Sequence, residues 1–112
     1  MRDSFSPGSF EQIVLLAILR VGDNAYGVSI RAEIAACTDR APGTGALYTT
    51  LDRLEERGLV ISRLGDPTPQ RGGRAKRFFQ VTPEGIAALT SVQLSYRRLL
   101  RGLRLLGAAH AS

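Results

Sequence analysis

GTGALYTTLDRLEERGLV, residues 43–60, carries the clearest structural pattern in the chain. Within it, Leu47, Leu51 and Leu54 recur at helical spacing and predict a helix over 44–57 that buries one apolar stripe against a small core. The other side of this helix carries residues that are small or can form hydrogen bonds: Gly45, Tyr48, Thr49, Asp52 and Arg53. Such a helix fits the major groove of DNA, although an ordinary amphipathic surface helix has the same pattern.

Two strands are predicted after this helix. Residues 59–64 and 76–81 are rich in β-branched and aromatic side chains. The segment between them is polar, and its Gly72-Gly73 pair allows the positive φ of a tight reversal, so the strands should pair antiparallel. The order helix, strand, basic loop, strand is that of a winged helix-turn-helix, and we call residues 64–76 the wing.

Two earlier helices complete this domain. Ser9–Gln12 has the spacing of a capping box and opens a helix over about 10–21, which is apolar nearly all round and should be covered by the rest of the domain. Tyr26, Ile30 and Ile34 recur at helical spacing and mark a second helix that ends near residue 37. Thr44 is predicted to cap the third helix. The predicted fold class is mainly α with a small β-hairpin (α+β).

Basic residues are concentrated in the second half of the chain. Residues 1–62 carry six basic and eight acidic side chains, whereas residues 63–112 carry nine basic and two acidic ones, giving net charges of −2 and +7. The wing and the strand after it hold four of these cations: Arg71, Arg74, Lys76 and Arg77. Asp66 is the only acid that we expect beside them. Such a basic loop predicts a polyanionic partner, double-stranded DNA.

A last helix is predicted to join two copies of the chain. Thr82-Pro83-Glu84 is a strong helix start, with a capping hydroxyl, a proline and an acid in the first turn. Spacings of three and four then place six apolar residues on one seam: Leu89, Val92, Tyr96, Leu99, Leu103 and Leu106. We therefore divide the chain into a DNA-binding domain, 1–82, and a long C-terminal dimerisation helix, 83–112. The alternatives are a helix folded back on its own domain and a helix on a membrane surface.

The composition argues against several classes of protein. The longest apolar run, residues 13–19, is too short to span a bilayer, and we predict no signal peptide and no membrane partner. Cys37 is the only cysteine, interpreted as a small buried side chain, and a cytoplasmic location is expected. His110 is the only histidine, so neither a catalytic triad nor a metal-ligand cluster can be assembled around histidine. We expect no enzyme activity, no metal and no cofactor.

The chain resembles the PadR family of bacterial transcription regulators. Four segments carry this resemblance: Ala25-Tyr26-Gly27; Gly45-Ala46-Leu47-Tyr48 with Leu51, Leu54, Glu55 and Gly58-Leu59; 72–79; and Val81-Thr82-Pro83-Glu84-Gly85. The resemblance implies a homodimeric repressor, an operator of inverted half-sites, and release by a small molecule or a stress signal. The chain departs from many relatives at Thr49-Thr50, where they have a proline, and at Phe78-Phe79, where they have two tyrosines. It also has no tryptophan, the residue between which some short relatives bind aromatic drugs.

The sequence therefore predicts a sequence-specific DNA-binding regulator. The candidate DNA-binding residues are Thr44, Gly45, Tyr48, Thr49, Arg53, Arg71, Arg74, Lys76 and Arg77. Tyr48 could instead pack against the wing. The alternative function is a winged-helix module that binds only other proteins. The operator, the regulated genes and the effector do not follow from the sequence.

Overall fold

The computed structural model describes residues 7–65 and 75–104 of the chain. Within these residues the elements are α1 (Ser9–Val21), a 3₁₀ turn (Gly22–Asn24), α2 (Gly27–Thr38), α3 (Thr44–Glu56), β1 (Val60–Leu64), β2 (Arg77–Val81) and α4 (Pro83–Leu100). The two strands pair antiparallel, with Val60 opposite Val81 and Leu64 opposite Arg77. This arrangement confirms the predicted fold class.

The core lies between α1, α2, α3 and the strand pair. Its largest fully buried side chains are Val14, Leu15, Ile30, Leu47, Leu51, Leu54 and Val60. The three leucines of the α3 stripe are all among them, so the periodicity of residues 43–60 identified the packed face correctly. Helix α1 departs from its prediction, because Leu16 and Leu19 are 50% and 44% exposed. They lie on the side of α1 that faces away from the core, so the helix is not covered all round.

The starts of α1 and α3 differ from the predicted ones by one residue. Gly8, not Ser9, precedes the first turn of α1, and its N–H donates to Glu11 Oε1 at 2.9 Å. Gly43 caps α3, and Thr44 is the first helical residue instead of the cap. Both glycines have the extended backbone that is typical of the position before a helix, and neither has a side chain that could accept from the first-turn N–H groups.

The strand pair is tied to the start of α2. Phe78 forms an isolated β-bridge with Tyr26, and the Phe79 N–H donates to the Ala25 carbonyl at 2.8 Å. The two aromatic rings meet edge to face, 5.7 Å apart between centroids. The base of the wing is therefore fixed to the helix-turn-helix through the backbone and through aromatic packing.

Helix α4 begins where the sequence predicts and ends earlier. Thr82 Oγ1 accepts a hydrogen bond from the Gly85 N–H at 3.0 Å, and Pro83 occupies the first turn. The helix ends at Leu100 because Arg101 is extended and Gly102 has a φ of +83°. Leu103 therefore lies beyond the helix, which corrects its place in the seam, and Leu106 lies outside the described residues. No helix in the described ranges is both long and apolar enough to cross a bilayer.

The start of α4 lies very close to Leu59, just before β1, and to Val81 at the end of β2, and a prediction about stability follows from this packing. A Cβ on Gly85 would lie 2.3 Å from the Leu59 carbonyl oxygen and 2.6 Å from Val81 Cγ1. Since a backbone atom cannot rotate away, we expect Gly85→Ala to lower the free energy of unfolding by about 1–3 kcal/mol in urea titrations. Gly45→Ala is the matched control: that site is open and helical, so a gain of up to about 1 kcal/mol is expected. Equal stability of both variants would contradict the packing at Gly85.

An ion pair on the surface links α1 to α2. Arg20 Nε lies 2.5 Å from Glu33 Oε2, and the Cys37 thiol donates to the same oxygen at 3.4 Å. These two hydrogen bonds, chiefly the one from Arg20, lower the pKa of the Glu33 carboxyl. Cys37 is exposed, which contradicts its interpretation as a buried side chain.

The lowered pKa of Glu33 predicts a small pH dependence. The stabilisation should be complete above the ordinary glutamate pKa of about 4.3 and should disappear as the pH falls through the lower pKa of the folded state. We expect the melting temperature of Glu33→Gln to approach that of the wild type as the sample is acidified across this window. A constant difference between the two proteins at all pH values would contradict the assignment.

Candidate nucleic-acid interface

The outer face of α3 forms an exposed polar ridge. Gly45, Thr49, Asp52 and Glu56 run along it, with Arg53 on one side, and all five are exposed. The opposite side of the helix is fixed in the core by the three leucines and by Thr50, which is 5% exposed. The ridge is thus a row of hydrogen-bonding groups on a rigid support, which is what direct readout of base edges requires.

The first turn of α3 also faces solvent. Thr44 and Gly45 are both exposed at the N-terminal end of the helix. Backbone N–H groups in a first helical turn have no acceptor within the helix and carry the positive end of its dipole. These two predicted residues are therefore placed where a phosphate oxygen can be bound.

Tyr48 packs against α2. A Cβ on Gly27 would lie 1.9 Å from the Tyr48 hydroxyl oxygen, so the phenol ring lies directly over the first residue of α2. Gly27 is buried, whereas Tyr48 remains 38% exposed. In the part of the chain that the structure describes, the ring therefore packs on the start of α2; most of the wing, residues 66–74, lies outside that part. A larger residue at position 27 would force this ring to move, so the contact gives a structural reason for the glycine of the Tyr26-Gly27 pair.

Two cations near the base of the wing lie over aromatic rings. The Lys76 ammonium lies 4.5 Å from the centre of the Tyr26 ring, and the Arg63 guanidinium lies 4.8 Å from the centre of the Phe78 ring. Both side chains belong to exposed residues, so their charges remain accessible to a polyanion. Arg71 and Arg74, the other predicted wing cations, lie outside the described residues.

Arg77 is engaged with α3. Its guanidinium contacts Glu55 Oε1 and Asp52 Oδ1, the latter at 3.4 Å, and its Nε donates to Ser62 Oγ at 3.1 Å. The prediction that Asp66 is the only acid near these cations is wrong, since two acids of α3 meet Arg77. This geometry argues against Arg77 as a phosphate contact.

Ser62 and Glu55 complete this contact, and neither was predicted as a site residue. Ser62 Oγ donates to Glu55 Oε2 at 2.8 Å, so the serine bridges the arginine and the carboxylate. The strand pattern could have indicated Ser62, because it is the polar residue between Val60 and Leu64 on one face of β1. The distance in sequence between Glu55 and Arg77 hid their contact.

The exposed half of α4 offers an apolar surface. Leu89 packs against the core of its own domain and Val92 is half-buried, so the seam begins as an intramolecular contact. Further along the same face, Tyr96 is 61% and Leu99 74% exposed. The prediction that Leu89 faces a second chain is thus not what the structure shows, while the end of the seam is uncovered.

A cleft of about 220 Å³ lies between the end of α1 and the outer face of the strands. Leu19, Asp23, Ile61 and Phe78 are among the residues that line it. Pockets that enclose drug-sized ligands are larger, about 300–1,000 Å³. The cleft gives no support for effector binding within one chain.

Comparison with known proteins decides the family. The model of the transcriptional regulator PadR-like family matches residues 15–91, more than half of the chain. The chain belongs to this family. The match spans the second half of α1, all of α2 and α3, both strands and the first half of α4, and it confirms the resemblance drawn from the motifs. The family consists of transcriptional regulators, which are not enzymes.

The similar proteins point the same way. The chain is 44% identical over 63 residues to the transcriptional regulator Rv3488 of Mycobacterium tuberculosis, a match that covers 54% of this chain and 51% of that protein. The chain thus spans about half the length of this curated relative. It is also similar to the structure of a transcriptional regulator from Clostridium thermocellum, with a TM-score of 0.66 and 25% identity, covering 81% and 85% of the two chains.

A third comparison supports the fold alone. A PadR family transcription regulator from Clostridium difficile R20291 has a TM-score of 0.64 and 24% identity, over 83% of this chain and 93% of that one. The winged helix-turn-helix arrangement is therefore shared although three quarters of the aligned residues differ.

Proposed function

We propose that this chain is a homodimeric repressor that binds double-stranded DNA at an operator of inverted half-sites. The observation that carries the proposal is the exposed polar ridge of α3, held on a buried apolar stripe. In a PadR-like chain this helix enters the major groove, where Thr49 and Arg53 read bases and Thr44 and Gly45 bind phosphate through the first helical turn. Tyr48 supports the helix through its packing on Gly27 and offers its exposed edge to the backbone.

The wing supplies the second contact. Lys76 is exposed beside Tyr26, and we assign Arg71 and Arg74 to the sugar–phosphate backbone or the minor groove. Arg77, in contrast, is reassigned to a contact within the protein. In this arrangement α3 contacts the bases and provides sequence specificity, whereas the wing contacts phosphates and provides affinity. Base and phosphate contacts commonly have these two separate roles.

Dimerisation is assigned to α4 with α1. Tyr96 and Leu99 on α4 and Leu16 and Leu19 on α1 expose large apolar side chains that a two-fold partner would cover. Such a dimer presents two α3 helices to one duplex, which accounts for inverted half-sites. We place this regulator in the cytoplasm, where its operator is located, and propose that an effector, a small molecule or a stress signal, releases it.

The wing assignment predicts a change in salt dependence. Arg74→Ala should weaken binding to every duplex and should flatten the plot of log affinity against log salt by about one unit, because one phosphate contact is lost. Mobility-shift titrations at several salt concentrations measure this slope. An unchanged slope would remove Arg74 from the backbone contacts.

The proposal as a whole is tested by selection. The purified protein is mixed with a random-sequence DNA pool, and the retained fragments are sequenced and then titrated in mobility shifts. We expect an inverted repeat and retention on heparin at physiological salt. If the protein retains no DNA fragment and does not bind heparin, the proposal is wrong and the alternative applies, a winged-helix module that binds only other proteins.

A further inference from the structure

We propose that Arg77 is a positioning residue that sets the angle between the wing strands and α3, and thereby the ability of the protein to distinguish its operator from other DNA. The inference rests on the proposed DNA-binding function. In this role Arg77, Glu55 and Ser62 affect DNA recognition through contacts within the protein, without touching a base or a phosphate.

The contacts of Arg77 connect three elements. Its guanidinium, carried by β2, reaches Glu55 and Asp52 on α3, and its Nε reaches Ser62 on β1. Ser62 in turn donates to the second oxygen of Glu55. One planar fork thus fixes both strands to the reading helix in a single geometry.

This link lies at the point where the wing is oriented. The chain turns between α3 and β1 at Gly58, whose φ is +77°. A small angular error at the base of a hairpin produces a larger displacement further along it. The contact with Glu55 therefore fixes where Arg63 and Lys76, the exposed cations at the base of the wing, lie relative to α3.

The link also controls charge on α3. Asp52 is 60% and Glu55 32% exposed, and both would repel the phosphates beside a bound helix. The guanidinium of Arg77 offsets them from within the protein. Because these ion pairs are partly exposed, they contribute little to stability, and their removal should change recognition more than folding.

The experiment compares two duplexes, one selected from a random-sequence pool by the wild-type protein and a scrambled one of the same length. Arg77→Gln should lower the ratio of the two affinities by about tenfold. Arg77→Lys should lower it in the same direction, because an ammonium keeps the charge but cannot form the planar fork. Arg63→Gln is the matched control. It also removes one positive charge near the base of the wing, but Arg63 contacts the Phe78 ring and not α3. It should weaken both duplexes alike.

Glu55→Gln distinguishes the positioning of the wing strands from the electrostatic effect of the charges on α3. It removes a negative charge from α3, so a purely electrostatic role predicts equal or tighter binding to both duplexes. The positioning role predicts that its affinity ratio falls in the same direction as that of Arg77→Gln. If Arg77→Gln fails to fold, as judged by circular dichroism, Glu55→Gln decides the question alone.

The outcomes distinguish the inference from the proposed function. A wild-type protein that does not distinguish the duplexes overturns the function itself. A wild-type protein that distinguishes them, while Arg77→Gln loses about one unit of salt slope and weakens both duplexes equally, makes Arg77 a phosphate contact and overturns only the positioning role. Full discrimination by Glu55→Gln overturns it as well.

Discussion

Leu99→Asp combined with Leu103→Asp is expected to yield monomers whose affinity for the operator is lower by about a hundredfold or more. Leu99 is 74% and Leu103 59% exposed in the single chain, so the substitutions need not disturb the domain itself. In a dimer that covers the end of α4, however, Leu99→Asp would bury a carboxylate in an apolar contact, which is costly, and Leu103→Asp would place a second one just beyond the helix. A monomer also loses the gain from binding two linked half-sites, commonly 10²- to 10⁴-fold.

Sedimentation and mobility shifts measure this prediction together. Ser91→Asp is the control for adding a carboxylate to α4, because Ser91 is exposed on the other side of the helix; it gains one negative charge where the double variant gains two. It should remain dimeric and bind the operator normally. An intact dimer in the double variant would exclude the end of the seam as the interface and would leave α1, with Leu16 and Leu19, as the surface to examine.

Arg53→Ala is expected to produce the second large effect. Arg53 flanks the exposed ridge of α3, and a bidentate contact from arginine to guanine is worth about 1–3 kcal/mol of discrimination. We therefore expect affinity for the selected duplex to fall by about 5- to 150-fold, with a relaxed preference at one base pair of each half-site. Repeating the selection with the variant identifies that base pair.

A control keeps charge separate from base reading. Arg20→Ala removes one positive charge from α1, where Arg20 pairs with Glu33, and should change affinity little. If Arg53→Ala weakens selected and scrambled duplexes equally and flattens the salt dependence, Arg53 contacts a phosphate and not a base.

The local elements could be predicted from the sequence because their signals are local. The leucine stripe of α3 and the Thr82-Pro83 start of α4 depend on residues within one or two turns of each other. The same reasoning placed the exposed ridge, including Thr49 and Arg53, on the correct face of α3. Only the exact caps, Gly8 and Gly43, were missed by one position.

The features of the site that could not be predicted depend on contacts between residues that are distant in sequence. The packing of Tyr48 over Gly27 and the link from Arg77 to Glu55 join segments that periodicity does not relate. For this reason the sequence assigned Arg77 to DNA, whereas its neighbours in space are acids. The end of α4 was overestimated for a different reason: the heptad spacing continues through Leu103, but Gly102 adopts a left-handed backbone that ends the helix.

The exposed side of α1 shows a further limit of the sequence. An apolar run predicts burial but does not say against what. Leu16 and Leu19 face away from their own core, so a second chain is the surface that we propose for them. This assignment shares its test with the α4 seam.

The central claim, that two protomers place matching α3 helices in successive major grooves, is tested most directly by changing the half-site spacing. Insertion of five base pairs between the half-sites of the selected duplex turns them to opposite faces of the DNA, and ten base pairs restore the face. We predict that the first insertion abolishes the dimer complex in mobility shifts and that the second recovers part of it. Equal binding to all three duplexes would contradict the claim.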